Sequence, residues 1–283
     1  MTVEKEIALL AAKMRRDVVR MIGGEGQVGH LGGSCSLADI VAALYGQVMR
    51  HDPKNPNWEH RDKFILSKGH AALAQYAALA ETGYFPHEYI LTVKDLGSSL
   101  QGHPDRLKTP GIEAGTGSLG QGLSIALGMA LAMRLDRLDN KVYCILGDGE
   151  LAEGQVWEAA MAAVNYKADN LVAVVDRNRL QATGKVRERF NTDPLSAKWA
   201  GFGWNVLETD GHDIPQILAA FQEAEAVKGK PSVIIANTVK GKGVSFAENV
   251  VGFHNGALTK EQYEQALREL DLQIEKMEEG AAQ

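Results

Sequence analysis

Apolar residues recur at helical spacing over roughly 3–22, 36–49, 71–82, 119–137, 154–167, 213–227 and 259–278. Between these stretches lie the short apolar runs Phe64 to Leu66, Val142 to Leu146, Leu171 to Val175, Asn205 to Glu208 and Ser232 to Ala236. Each run ends in a polar or glycine-rich turn, the signature of a strand. Strands alternating with helices predict an α/β fold, a mostly parallel sheet flanked by helices on both faces. No linker, repeat or composition break divides the chain, so the expectation is a single domain over 1–283 that closes with a helix at 259–278. The segment 178–212 is the least regular and predicts a long loop with a short helix at Pro194 to Ala200.

Composition narrows the class. With 45% hydrophobic and 23% charged residues among 283, the chain has ample material for a core. A formal charge of −6 without a sustained basic block argues against nucleic acid as a partner. Cys35 and Cys144 are too few for a disulfide framework or a cysteine metal cluster and read as free thiols in a reducing cytoplasm. The N-terminus lacks the apolar core of a secretory signal, and its basic residues Lys13, Arg15 and Arg16 read as a solvated face. Leu119 to Leu135 is interrupted by Gly120, Gln121, Gly122, Ser124 and Gly128 and falls short of the ~20 apolar residues of a membrane span, so it reads as a buried helix.

Candidate chemistry gathers at strand ends. Gly147-Asp148-Gly149 closes one apolar run, and Asn178 follows the next, 30 positions on (178 − 148). At the carboxyl ends of parallel strands, a carboxylate and an amide carbonyl can complete a hard-cation site whose remaining ligands are diphosphate oxygens. Magnesium or calcium suits such oxygens; zinc does not. The alternative is a helix N-cap for Asp148 and a turn for Asn178. Gly115 to Gly122 contains G-x-G-x-x-G before an apolar helix, but the preceding Gln101 to Ala114 is polar and holds two prolines, not the strand a dinucleotide fold needs. Those glycines still permit backbone N–H groups to approach a phosphate, with close helix packing through Gly120 and Gly128 as the alternative. His30, His70, His103 and His254 sit at glycine or turn-like segments, where imidazole can bond sugar hydroxyls or diphosphate and pass protons. His51, His60, His87 and His212 read as structural.

Taken in order, Gly29-His30, Ser67-Lys68-Gly69-His70-Ala71, Gln101-Gly102-His103-Pro104, Gly115 to Gly122, Gly147-Asp148-Gly149 with Glu153-Gly154, Asn178 and His254 resemble the N-terminal, thiamine diphosphate-binding part of transketolase over about residues 3 to 258. The resemblance implies Asp148, Asn178 and the backbone carbonyl of Leu180 as ligands of Mg²⁺ or Ca²⁺. It places His70, Gly149 and His254 against the diphosphate, with Gly117, Ser118, Leu119, Glu150 and Asn178 as further cofactor-binding positions. His30, His103 and His254 would face the sugar, and Glu153 resembles the acid of the hydrogen-bond network that joins two active sites. Leu31, Arg177 and Ala257 depart from the residues usual in the family and bear on loop shape.

Only 25 residues follow Leu258 (283 − 258), so the family's pyrimidine-binding and C-terminal domains are expected to be absent. The family draws from them the glutamate that activates the cofactor. The resemblance therefore implies half an active site, completed by a separately encoded C-terminal subunit in an α2β2 assembly. Together they would move a two-carbon ketol unit from a ketose phosphate to an aldose phosphate, with pentose phosphates as the default. The rivals are the α subunit of a thiamine-dependent 2-oxoacid dehydrogenase, against which the histidines argue, and a non-catalytic diphosphate-binding subunit.

Overall fold

The near-continuous apolar runs, all but the mixed and half-exposed Asn205 to Glu208, are what strands covered on both faces require. In the computed structural model, which describes residues 1–24 and 27–282, they form β1 (Lys63–Leu66), β2 (Val142–Gly147), β3 (Leu171–Arg177), β6 (Asn205–Asp210) and β7 (Ser232–Asn237). Between β3 and β6 lies a small antiparallel hairpin, β4 (Leu180–Gln181) with β5 (Gly184–Lys185). The five main strands pair in parallel in the order β1-β2-β3-β7-β6. All five coincide with expected strands.

Successive side chains of each strand point to opposite faces and enter two cores. Tyr143, Ile145, Val172 and Val174 pack with α1 (Val3–Ile22), α2 (Leu31–Ser36), α3 (Ala38–Ala43), α4 (Ala72–Glu81), α9 (Ile214–Ala226) and α10 (Lys260–Ala282). Val142, Cys144, Ala173 and Val175 face α5 (Gly122–Leu135), α6 (Gly154–Asn165) and α8 (Leu195–Gly201). A short α7 (Val186–Arg189) follows the hairpin.

Four expectations need correction. Helix does not begin at 36: the glycine-containing Leu31–Ser36 is already helical, and the stretch ends in a π turn at Leu44–Val48. The irregular segment holds β4, β5 and α7 besides the expected short helix. Arg15 is not solvated; it is 5% exposed and paired with Asp39. It shares an inward stripe of α1 with buried Ala11 and Val19, as spacing by four dictates. The apolar α5 is buried on one side only, for Gly128, Ala132 and Leu135 are exposed and, among the described residues, nothing packs within 4 Å of Gly128. Among the described residues, no helix is long and apolar enough to cross a membrane.

Candidate active site

A parallel sheet brings the carboxyl ends of its strands to one edge, so residues remote in sequence converge there. Ser67 and Lys68 follow β1, Asp148 follows β2, Asn178 follows β3, and Thr238 and Lys240 follow β7. A cavity of about 530 Å³ opens at that edge.

Oxygens dominate one part of it. Asp148 is 4% exposed. Its Oδ1 accepts the Gly149 N–H at 2.8 Å, and its Oδ2 accepts the N–H of Arg179. Asn178 donates from Nδ2 to Asp176 at 3.0 Å, and its Oδ1 accepts the Leu180 N–H at 3.1 Å. Burial, and then the nearby Asp176, push the Asp148 carboxyl up to about 6. A cation held here would offset both effects. With Asp148, the Asn178 carbonyl and the Leu180 carbonyl as donors, the set fits a hard divalent ion such as Mg²⁺ or Ca²⁺.

Nitrogens line the other part. Lys68 and Lys240 are each 2% exposed. The Lys68 ammonium donates to Asp176 and to the Gly33 carbonyl. Lys240 donates to the Leu180 carbonyl and to His254 Nδ1, both at 2.8 Å. With Nδ1 accepting, the neutral His254 ring carries its proton on Nε2, free to donate into the cavity. Ring centroids lie 5.1 Å apart for His30 and His70, 5.2 Å for His70 and His254, and 5.5 Å for His30 and His254. Burial above all, reinforced by neighbouring cations and rings, pushes His30 and His254 down to about 4. Near neutral pH these rings are uncharged and can each donate one hydrogen bond and accept another.

The glycine-rich loop closes over this floor. A Cβ on Gly69 would lie 2.6 Å from the Thr116 carbonyl carbon and 2.7 Å from the Gly117 nitrogen, so only glycine permits the approach. Thr116 donates its hydroxyl to the Leu66 carbonyl at 2.7 Å, pinning the loop to the end of β1. Glu150 is 3% exposed and accepts from the Ser67 hydroxyl and from the N–H groups of Gly120 and Gly147. Its carboxylate thus ties three segments of scaffold together.

His30, His70, Gly117, Leu119, Asp148, Gly149, Glu150, Glu153, Asn178, Leu180 and His254 all line the cavity. Ser118 is exposed beside it, and His103 stands outside the lining with its ring 6.3 Å from His30. Glu153 is exposed. Lys68, Lys240, Asp176, Gln181 and Phe190 join the site without any role expected of them from the sequence. Lys68 lies inside a motif already singled out, and Lys240 follows an apolar run as Asp148 does, so position at a strand end was the available signal. The other histidines are structural: His51 bonds the Tyr45 carbonyl at 2.7 Å, His87 bonds Asp17 at 2.8 Å, and His212 bridges Asp39 and the Val239 N–H. His60 is an exposed residue beside Glu59.

Residues 9–278 match the family described as transketolase, thiamine diphosphate binding domain. The chain is 48% identical over 258 residues to the 6-deoxy-6-sulfo-D-fructose transketolase subunit SqwG of a Clostridium species, covering 91% of this chain and 94% of that one. It is 42% identical to one subunit of the apulose-4-phosphate transketolase of Phocaeicola vulgatus, covering 96% of each. Transketolase from Leishmania mexicana superimposes with a TM-score of 0.85 at 28% identity, covering 99% of this chain and 45% of that chain.

Proposed function

The chain belongs to the transketolase family, through its thiamine diphosphate-binding domain, and we propose that it is the cofactor-holding subunit of a split transketolase that moves a two-carbon ketol unit between sugars together with a separately encoded C-terminal subunit. The observation that carries the reading is the convergence of Asp148, the Asn178 and Leu180 carbonyls, two buried lysines and the His30–His70–His254 cluster on one cavity.

Asp148, Asn178 and Leu180 would hold Mg²⁺ or Ca²⁺, and His70, Gly149, His254 and the Gly117 to Leu119 turn would take the diphosphate, with Lys68 and Lys240 supplying positive charge. When bound, thiamine diphosphate supplies the chemistry that breaks and re-forms a carbon–carbon bond next to a carbonyl. His30 and His103 would donate to and accept from the sugar hydroxyls and carbonyl, and His254, its Nδ1 taken by Lys240, would donate from Nε2; their low proton affinity keeps them neutral for that work. Glu153, exposed at the cavity wall, would reach a neighbouring subunit.

Two observations support a partner. The relatives of matching length are named as subunits, whereas the chain spans about half of the Leishmania enzyme. The packed helices α5 and α6 each leave a large apolar side chain exposed, Leu135 and Met161, and exposed apolar surface is what partners cover. An α2β2 assembly is the simplest arrangement in which two such halves complete two sites. The candidate sugars are pentose phosphates, 6-deoxy-6-sulfo-D-fructose and apulose 4-phosphate, the last two from the relatives' names.

The test is ketol transfer from xylulose 5-phosphate to ribose 5-phosphate with thiamine diphosphate and Mg²⁺, using the chain alone and mixed with a purified candidate C-terminal subunit. Activity in the mixture only is expected; activity of the chain alone refutes the split site. Asp148→Ala should abolish Mg²⁺-dependent cofactor binding in calorimetry, and unchanged affinity sinks the metal assignment.

A further inference from the structure

A second recess of about 310 Å³ lies on the far side of Asp148, walled by the end of β3, the β4–β5 hairpin, α7 and the turn at 192–195. Among the described residues, Asp148 alone lines both it and the main cavity. The chain as a whole carries −6, yet residues 177–189 contain Arg177, Arg179, Lys185, Arg187 and Arg189 against the single acid Glu188. The first four of these cations line the recess.

Their existing partners consume only part of that charge. Arg177 pairs with Asp193 at 2.8 Å. Lys185 has only the exposed Glu188, 3.2 Å away and three residues on, a kind of pair worth little. Arg179 bonds the neutral Asn237 amide oxygen at 3.4 Å. Among the described residues Arg187 has neither an ion pair nor a hydrogen-bonded side chain. Among the described residues, two arginines without an ion-paired carboxylate, Arg179 and Arg187, therefore line one concavity, together with the acids Asp148 and Asp193 and with Thr192, whose hydroxyl donates to the Asp148 carbonyl at 3.3 Å. Planar forks of this kind match the oxygens of a tetrahedral anion two at a time.

We propose that this recess is a second anion site, outside the cofactor cavity, that takes the phosphate, sulfate or sulfonate group of a small ligand. Its volume exceeds that of a bare oxyanion and leaves room for a small organic body. Because the N–H of Arg179 donates to Asp148, an anion drawn to the Arg179 side chain is coupled to the segment that positions Asp148.

The experiment titrates sodium sulfate into the chain saturated with thiamine diphosphate and Mg²⁺, by calorimetry at constant ionic strength held with chloride. Saturable binding of one equivalent is expected, weakened about tenfold or more by Arg187→Glu. Arg179→Gln serves as the milder variant, and thermal unfolding checks that both fold. No saturable binding, or affinity unchanged in both variants, overturns the site. Cofactor uptake is read in the same cell; if the chain takes up none, the proposed function fails while the dependence of the sulfate isotherm on Arg187 still decides the recess. Tighter binding of glycerol 3-phosphate than of sulfate identifies an organic anion as the ligand, and equal or weaker binding identifies the free oxyanion.

Discussion

Asp176, wholly buried, accepts the Nδ2–H of Asn178 at 3.0 Å. An ionised carboxylate can only accept, so it dictates which end of the amide faces it and leaves Oδ1 to be presented elsewhere. Burial alone would raise the Asp176 carboxyl, but the charge of Lys68 and hydrogen bonds from Lys68, Ser36 and Thr238 hold it below its ordinary value. The carbonyl that would meet a metal is thus oriented by a residue that never touches the metal.

Asp176→Ala should lower stability by about 3–5 kcal/mol in urea unfolding, since it strands the Lys68 ammonium in the interior. Asp176→Asn combined with Lys68→Met removes both charges and should recover most of that loss. Mg²⁺ should nevertheless bind the double variant more weakly, because an amide at 176 can donate as well as accept and no longer dictates which end of Asn178 faces it. Wild-type Mg²⁺ affinity in the double variant would falsify the orienting role.

Acid should destabilise the ligand-free chain before ordinary carboxylates titrate. His30 and His254 bind protons near 6.5 when unfolded but near 4 when folded, and His70 shifts further in the same direction. The unfolded state therefore holds more protons between those values, and stability falls as pH drops from about 6.5 toward 4. Asp148 opposes this, because its folded carboxyl keeps a proton up to about 6 against 3.8 when unfolded. Glu150 and Glu81, raised by burial, oppose it too, whereas His103 is lowered with the other rings, and the four rings outweigh the three carboxyls. Urea midpoints at pH 7.5 and 5.0 give the check, with a flatter dependence expected in His254→Asn and equal midpoints in the wild type counting against the buried neutral rings.

Two glycines of α5 should respond oppositely to alanine. A Cβ on Gly122 would sit 2.4 Å from the Ser67 Cβ, at the junction of the helix start and the end of β1. Overpacking of this sort typically costs about 1–3 kcal/mol. Among the described residues nothing lies within 4 Å of a Cβ on Gly128, so alanine there should stabilise the isolated chain by about 0.5–1 kcal/mol through helix propensity. Thermal unfolding of both variants decides it, and similar melting temperatures would contradict the packing described.

The contrast between those glycines marks what a sequence reveals. The strands were legible because a strand covered on both faces must be apolar throughout, as Leu171 to Val175 is. Asp148 and Asn178 were legible because polar residues directly after such runs fall at one edge of a parallel sheet. Arg15 was not, since a cation on an apolar stripe looks solvated until Asp39 arrives from 24 positions away. The same holds for Lys68 and Lys240, whose burial depends on acceptors contributed by other loops. Nor could spacing separate Gly122 from Gly128, because the difference is made by β1.

Lys240 joins stability and function with opposite signs. Burial, and then repulsion from Lys68, push its ammonium down to about 8, so keeping it charged at neutral pH works against the fold. It nevertheless donates to the Leu180 carbonyl and fixes the tautomer of His254. Lys240→Met preserves length and packing while removing the charge. The ligand-free variant should melt at the same temperature as the wild type or higher, whereas its affinity for thiamine diphosphate with Mg²⁺ should fall by about 10–100-fold, as for other residues that orient ligand groups. Differential scanning calorimetry and a cofactor titration on one preparation test both signs. A melting temperature that drops together with an unchanged affinity would make Lys240 a purely structural residue.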